Sequence, residues 1–285
     1  MLRVRPRSES PRLLDDRDRA AVLALCEANP VVNVFVASRV RVLGLDPGRL
    51  GAQVWGCEQG GKLTSACYSG ANLVPVEVGS PQEIAAYADR ALRHGRRCSS
   101  VVGPADVVTQ LWQHLRPYWG PARELRSVQP LMAISGPPLV EPDTAVRRVR
   151  PDEIDILLPA SIAMFTEEVG VSPLAGDGGA AYRARVTELI RSGRAFARIE
   201  AGQVVFKAEV GAATAQACQV QGVWVHPDFR GLGMAAPGMA AVVIDSQKSI
   251  APIVSLYVND FNSPARAAYI RTGFAEVGQF MSVLF

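Results

Sequence analysis

Cysteine is scarce in this chain and scattered: Cys26, Cys57, Cys67, Cys98 and Cys218 are odd in number and show no Cys-x-x-Cys spacing. Such a set reads as reduced, buried thiols, not as disulfides or a zinc site. Three histidines, His94, His114 and His226, add no metal-ligand spacing. Lysine is almost missing, with only Lys62, Lys207 and Lys248 beside many arginines, a bias that reads as genome composition. The net charge is +3, and from residue 146 onward acidic and basic residues balance, so the chain lacks the electrostatic footprint of a nucleic-acid binder. Long apolar runs are also lacking. The best, 30–45, is interrupted by Asn33, Arg39 and Arg41 and is too short and too charged to cross a bilayer. No segment has the order of a secretory signal. The expectation is a cytoplasmic protein with neither membrane nor nucleic-acid partner. No Gly-Lys-Ser/Thr follows a glycine loop, which excludes a Walker phosphate site.

What is present is enough chain for two cores: 285 residues, 48% of them hydrophobic. Pro137, Pro138 and Pro142 fall within seven residues and cannot easily continue a helix or a central strand, so they mark a linker. The expected division is a first domain over 1–135, a linker over 136–144 and a second domain over 145–285. Residues 1–10 are polar and expected to fray. The first domain reads as helices at 15–27, 30–43, 81–94 and 106–115, with strands at 52–57, 63–68, 73–78, 99–102 and 129–135. The second reads as a strand at 145–149, helices at 151–168 and 180–191, and a Gly/Pro-rich loop over 170–179. A hairpin at 194–213 turns at Ala201-Gly202, and a strand follows at 216–225. Beyond it come a helix to about 248, a strand at 253–258, a helix at 263–272 and paired strands at 274–278 and 280–285. Both halves are α+β, with a loosely similar order of elements.

The most informative stretch is 220–236, a strand that feeds through a short turn into a helix. Backbone N–H groups converge there, and the positive end of the helix dipole adds to them, which makes an anion site. Gly231 and Gly233 can take positive φ and let ligand oxygens approach the main chain. Pro237 lacks an N–H, but near the end of the first turn this costs least. Arg230 either meets phosphate or braces the turn on a carboxylate. Gly222, in an otherwise β-branched strand, indicates a bulge that frees main-chain groups to pair with an extended, amide-rich ligand such as pantetheine. Gly231-x-Gly233-x-x-Ala236 also satisfies a relaxed dinucleotide fingerprint. That fingerprint belongs to an early βαβ unit, whereas an antiparallel hairpin precedes this one. A plain glycine turn closing a strand–helix corner is the remaining reading.

Val223-Trp-Val-His-Pro-Asp-Phe-Arg-Gly-Leu-Gly-Met-Ala235 resembles the acetyl-CoA signature of the Gcn5-related N-acetyltransferases (GNAT), and Leu256-Tyr-Val-Asn-Asp-Phe-Asn262 with Ala265, Tyr269 and Gly273-Phe274 is similar to that family's second signature. The match covers about 146–285. It implies an acetyltransferase fold, with a mixed, mostly antiparallel sheet flanked by helices, preceded by a second, degenerate domain of like type. It implies an acetyl-CoA-dependent transfer of acetyl directly to an amine, protein-borne or small. Carried over residue by residue, Val223, Trp224 and Val225 form the pantetheine strand. Arg230, Gly231, Leu232, Gly233, Met234 and Ala235 hold the pyrophosphate, Asn262 and with it Asn259 contact the cofactor, and Tyr269 faces the sulfur.

One expected group is absent. Many members carry a glutamate on the strand leading into the loop, where Gln219 and Gln221 stand here. Glu167 and Glu168, at the end of the domain's first helix, are the candidate bases; they point in different directions, so at most one reaches the acceptor. Solvated helix-end carboxylates are the plain alternative for both. Glu209 is a weaker candidate, and His226 orders the turn. A non-catalytic acyl-CoA sensor is the rival reading, which the missing glutamate allows. In the first domain, 99–106 reads as the counterpart of this stretch but carries no Arg-x-x-Gly-x-Gly loop, and the domain is expected to wall the acceptor site.

Overall fold

The computed structural model describes residues 10–175 and 178–285. Residues 1–9 of the polar amino-terminal segment lie outside the described residues, as do Gly176 and Asp177 of the Gly/Pro-rich loop. The chain divides into two compact units, Met1–Leu131 with Gly278–Phe285, and Met132–Val277.

In chain order unit 1 contains β1 (Arg12–Leu13), α1 (Arg19–Ala28), α2 (Val34–Leu43), α3 (Pro47–Leu50), β2 (Gln53–Gln59), β3 (Lys62–Ser69), β4 (Asn72–Val76), α4 (Pro81–His94), β5 (Ser100–Pro104), α5 (Ala105–Trp119) and most of β6 (Glu124–Ile134). Its sheet runs β1-β2-β3-β4-β5, antiparallel except for β4 and β5, which α4 connects in parallel. Neighbouring residues of β2 serve different cores, as strand alternation requires. Val54 packs with Leu14, Val22, Val40 and Tyr68 near α1 and α2, while Trp55 packs with Tyr87, Leu111 and Leu115 of α4 and α5.

Unit 2 contains β7 (Arg147–Arg148), α6 (Ile154–Val169), α7 (Ala180–Arg191), β8 (Ala195–Glu200), β9 (Gln203–Ala213), β10 (Ala217–Val225), α8 (Ala235–Ser249), β11 (Ile253–Tyr257) and α9 (Ser263–Thr272). The sheet order is β11-β10-β9-β8-β7; β10 and β11, joined by α8, are parallel, and the other neighbours are antiparallel. The β8–β9 turn takes positive φ at Ala201 (47°) and Gly202 (78°), the hairpin geometry expected of that pair. Val223 and Val225 pack with Phe206, Met239 and Phe274 in the core of α8 and α9, whereas Trp224 between them packs with Leu157, Met164 and Leu189 against α6 and α7.

The last strand, β12 (Ala275–Leu284), corrects the expected pair at 274–278 and 280–285. A two-residue hairpin needs positive φ at its turn, and Gly278 is not among the residues with positive φ. The chain therefore runs straight on, and Phe280–Leu284 pair antiparallel with β5 in unit 1, where Met281 and Val283 join the core. β6 likewise starts earlier than expected, because its first half alternates in exposure and carries no apolar run. The helix expected from residue 30 begins at Val34, after a turn at 30–33.

Candidate functional site

The site is built on a break in β10. This strand pairs with β9 as far as Gln221 opposite Glu209 and resumes with Trp224 opposite Lys207, so Gly222 and Val223 together face Ala208. This is a bulge, and Gly222 takes φ +59°. A Cβ there would lie 3.0 Å from Met164 Cε and 3.1 Å from Glu209 Cδ. On the other edge the parallel ladder with β11 pairs Ala217, Cys218 and Gln219 with Ile253, Val254 and Ser255, and among the described residues it goes no further. The His226 N–H donates to Val205 O at 3.0 Å, so alternation turns the main-chain groups of Trp224 toward β9 and those of Val223 and Val225 toward the open edge.

Past β10, His226 orders the turn: its Nδ1 accepts from the Asp228 N–H (3.3 Å), and its ring meets Trp224 and Phe229 edge-on. Gly231 (φ +77°) and Gly233 (φ +78°) follow, then α8, whose N-terminus has no side-chain cap. A Cβ on either glycine would meet nothing within 4 Å. An exposed loop, an uncapped helix start and free space above both glycines fit a pyrophosphate.

Arg230 braces the turn on a carboxylate. Its Nη2 donates to Glu167 Oε2 (2.7 Å), and its Nε donates to Val225 O (3.0 Å). Glu167 Oε1 accepts from Trp224 Nε1 (3.2 Å), so this carboxylate is tied to the loop and its strand. Glu168 is exposed, and its charge is felt by Tyr269. Tyr269 is 7% exposed beside Phe274. Burial, with the charge of Glu168 added, pushes the phenol pKa up, so the hydroxyl stays a proton donor. Asn262 caps α9, Oδ1 accepting from the Ala265 N–H (3.2 Å), and Asn259 O receives the Asn262 N–H (3.0 Å).

From sequence alone Glu209 is a weaker candidate and Lys207 is not a candidate. Both are buried beside the bulge, Lys207 at 1% and Glu209 at 6% exposure, with Nζ donating to Glu209 Oε2 (3.4 Å) and Gly222 O (3.0 Å). Gln221 Nε2 donates to Glu209 Oε1 (2.9 Å). The available signal was Lys207-x-Glu209, two charges on one face of an apolar strand. Among the described residues no group of three or more His, Cys, Asp or Glu side chains could hold a metal ion, and no helix is long and apolar enough to cross a membrane.

Unit 1 holds the matching element in a different place from the expected 99–106. There β4, α4 and β5 repeat the connection of β10, α8 and β11, and among the described residues β4 pairs with β5 at Asn72 and Leu73 alone. Pro75 offers no N–H on this strand. The start of α4 is filled by the chain's own anion. Glu83 Oε2 accepts from the Gly79 N–H (3.1 Å) and Ser80 Oγ (3.2 Å), and Oε1 accepts from Thr64 (2.9 Å) and Ser65 (2.7 Å). Burial raises the Glu83 pKa, but these bonds outweigh it and hold the carboxyl below its usual range.

The family described as a domain of unknown function (DUF4081) matches residues 52–157. No curated protein matches the chain. Among solved structures, a GCN5-related N-acetyltransferase from Sphaerobacter thermophilus is 15% identical with a TM-score of 0.60, covering 95% of this chain and 93% of that one. A GNAT-family acetyltransferase from Colwellia psychrerythraea is 11% identical with a TM-score of 0.56, covering 96% and 99%. A tandem GNAT protein from the clavulanic acid biosynthesis pathway is 15% identical with a TM-score of 0.53, covering 96% and 97%. The chain thus has the fold of the Gcn5-related N-acetyltransferases, with neighbours of that fold across nearly its whole length.

Proposed function

We propose that the protein is an acetyl-CoA-dependent N-acetyltransferase that moves acetyl directly to an amine. The observation that carries this reading is the course of the chain from β10 to α8: a glycine bulge, an edge free of β11, and then an uncapped glycine loop at the start of α8. An extended pantetheine fits the open edge that Val223 and Val225 present, with Trp224 between them. A pyrophosphate fits the amides from Gly231 to Ala236, with Leu232, Gly233, Met234 and Ala235 between them and Arg230 held behind. Asn259 and Asn262, at the entry to α9, stand on the cofactor side. Catalysis is differential stabilisation of charge. As the amine nitrogen bonds to the thioester carbon, the C–S bond breaks, and a phenol kept protonated by burial can hydrogen-bond to the leaving thiolate. Tyr269 is that phenol.

Gln219 and Gln221 favour a second reading, an acyl-CoA sensor without turnover, because neither amide can take a proton. Thiol release by the purified full chain, with acetyl-CoA and a panel of alkylamines, amino acids, polyamines and peptides, separates the two. Release above background with one class supports transfer. Tight coenzyme A binding with no release from any amine supports the sensor.

A further inference from the structure

We infer that Glu209, on β9, is the group that receives the proton of the acceptor amine, an assignment that rests on the acetyltransferase reading. It supplies from the neighbouring strand the carboxylate that β10 lacks. Gln221 stands directly across the ladder from Glu209 and donates to its Oε1. Gln221 is itself held across Gly211, where a Cβ would come within 2.3 Å of its amide. Lys207 joins the other carboxylate oxygen to the carbonyl of the bulge, Gly222 O. The carboxylate therefore lies beneath the residue at which β10 leaves its partner. In the proposed complex, the pantetheine arm reaches its thioester at that point.

A carboxylate oxygen accepts two hydrogen bonds, so each oxygen of Glu209 can still take an N–H from an incoming ammonium. The other groups facing it are Arg185 from α7, whose Nη2 is 4.0 Å from Oε1, and Tyr182, which feels the charges of Glu209, Arg185 and Glu168. Tyr182 donates its hydroxyl to Ser161 O (2.9 Å), and burial first, then Glu209, raises its pKa, so it stays protonated and does not compete as a base.

The alkylammonium gives one proton to Glu209, which becomes a neutral acid. The freed nitrogen lone pair forms the C–N bond while the C–S electrons pass to sulfur. The second nitrogen proton ends on the thiolate, giving free thiol, and Glu209 returns its proton to water. Such a device matters most for an alkylamine, which arrives charged at neutral pH.

The test compares wild type, Glu209→Gln and the double variant Lys207→Met/Glu209→Gln, using the alkylamine found by thiol release and its oxyamine isostere, which is already neutral at assay pH. The double variant removes both buried charges and covers the case in which the single one fails to fold. Expected is a fall in kcat of about 10²- to 10⁴-fold with the alkylamine. The loss with the oxyamine should be much smaller, and the KM for acetyl-CoA should be nearly unchanged. Equal losses with both amines, or alkylamine turnover within about threefold of wild type, would overturn the assignment and leave the acetyltransferase reading standing. No release from wild type with any amine overturns that reading first.

Discussion

Glu167 and Arg230, 63 residues apart, meet at 2.7 Å beside the glycine loop, and the same arginine holds the carbonyl of Val225. The sequence leaves Arg230 two partners, a phosphate or a carboxylate, and places Glu167 among the candidate bases. The geometry couples the two side chains, so the carboxylate sets where the guanidinium stands. Both side chains are about half exposed, and such a pair contributes little to stability. Its loss should appear in cofactor binding. For Glu167→Ala we expect the KM for acetyl-CoA to rise about twofold to fivefold, with kcat nearly unchanged and the effect reduced at high salt. A large fall in kcat at constant KM would return Glu167 to the role of base.

The glycines of β10 and of the loop fail for different reasons. Gly222→Ala must adopt φ near +59° and also displace Met164 and Glu209, each about 3 Å from the new methyl. Strain and overpacking together should cost about 1–3 kcal/mol. Gly231→Ala meets no atom, so only its backbone conformation is penalised, by about 1–2 kcal/mol. Urea midpoints should fall further for Gly222→Ala. Coenzyme A affinity should fall in both.

The backbone of the loop was legible in the sequence because positive φ restricts residue types locally, and Gly222, Gly231 and Gly233 all take it. The cluster of Lys207, Glu209 and Gln221 was not, since it forms only when two strands settle in register. β12 was misread because a glycine looks like a turn until its φ is known. In unit 1, the anion at the start of α4 comes from Glu83, held by Thr64 and Ser65 of another strand, and no local pattern reports that pairing.

Glu83 makes a claim about unit 1 that can be measured. Because its carboxylate occupies the helix start, we expect one coenzyme A per chain by calorimetry, not two. Its folded pKa lies below the unfolded one, so it contributes stability that is fully present above the ordinary glutamate range and is lost as pH falls through the folded value. Glu83→Gln should lower stability by about 1–2 kcal/mol at neutral pH, and the difference from wild type should shrink toward pH 3. A constant difference across that range would show that charge is not what the cap uses.

Tyr269 offers the sharpest division between chemistry and binding. The ring belongs to the core of α8 and α9, and Phe274 packs beside it, so Tyr269→Phe keeps the packing and removes only the hydroxyl. A phenol that donates to the leaving sulfur acts in the transition state alone. Its removal should lower kcat on the order of a hundredfold while coenzyme A affinity stays nearly constant. Burial and Glu168 both push its pKa up, so the proton is retained throughout the assay range. The ratio of wild-type to variant rates should therefore be flat from pH 6 to pH 9. A ratio that changes with pH would mean that the hydroxyl titrates, and unchanged turnover with saturating acetyl-CoA would remove Tyr269 from the mechanism.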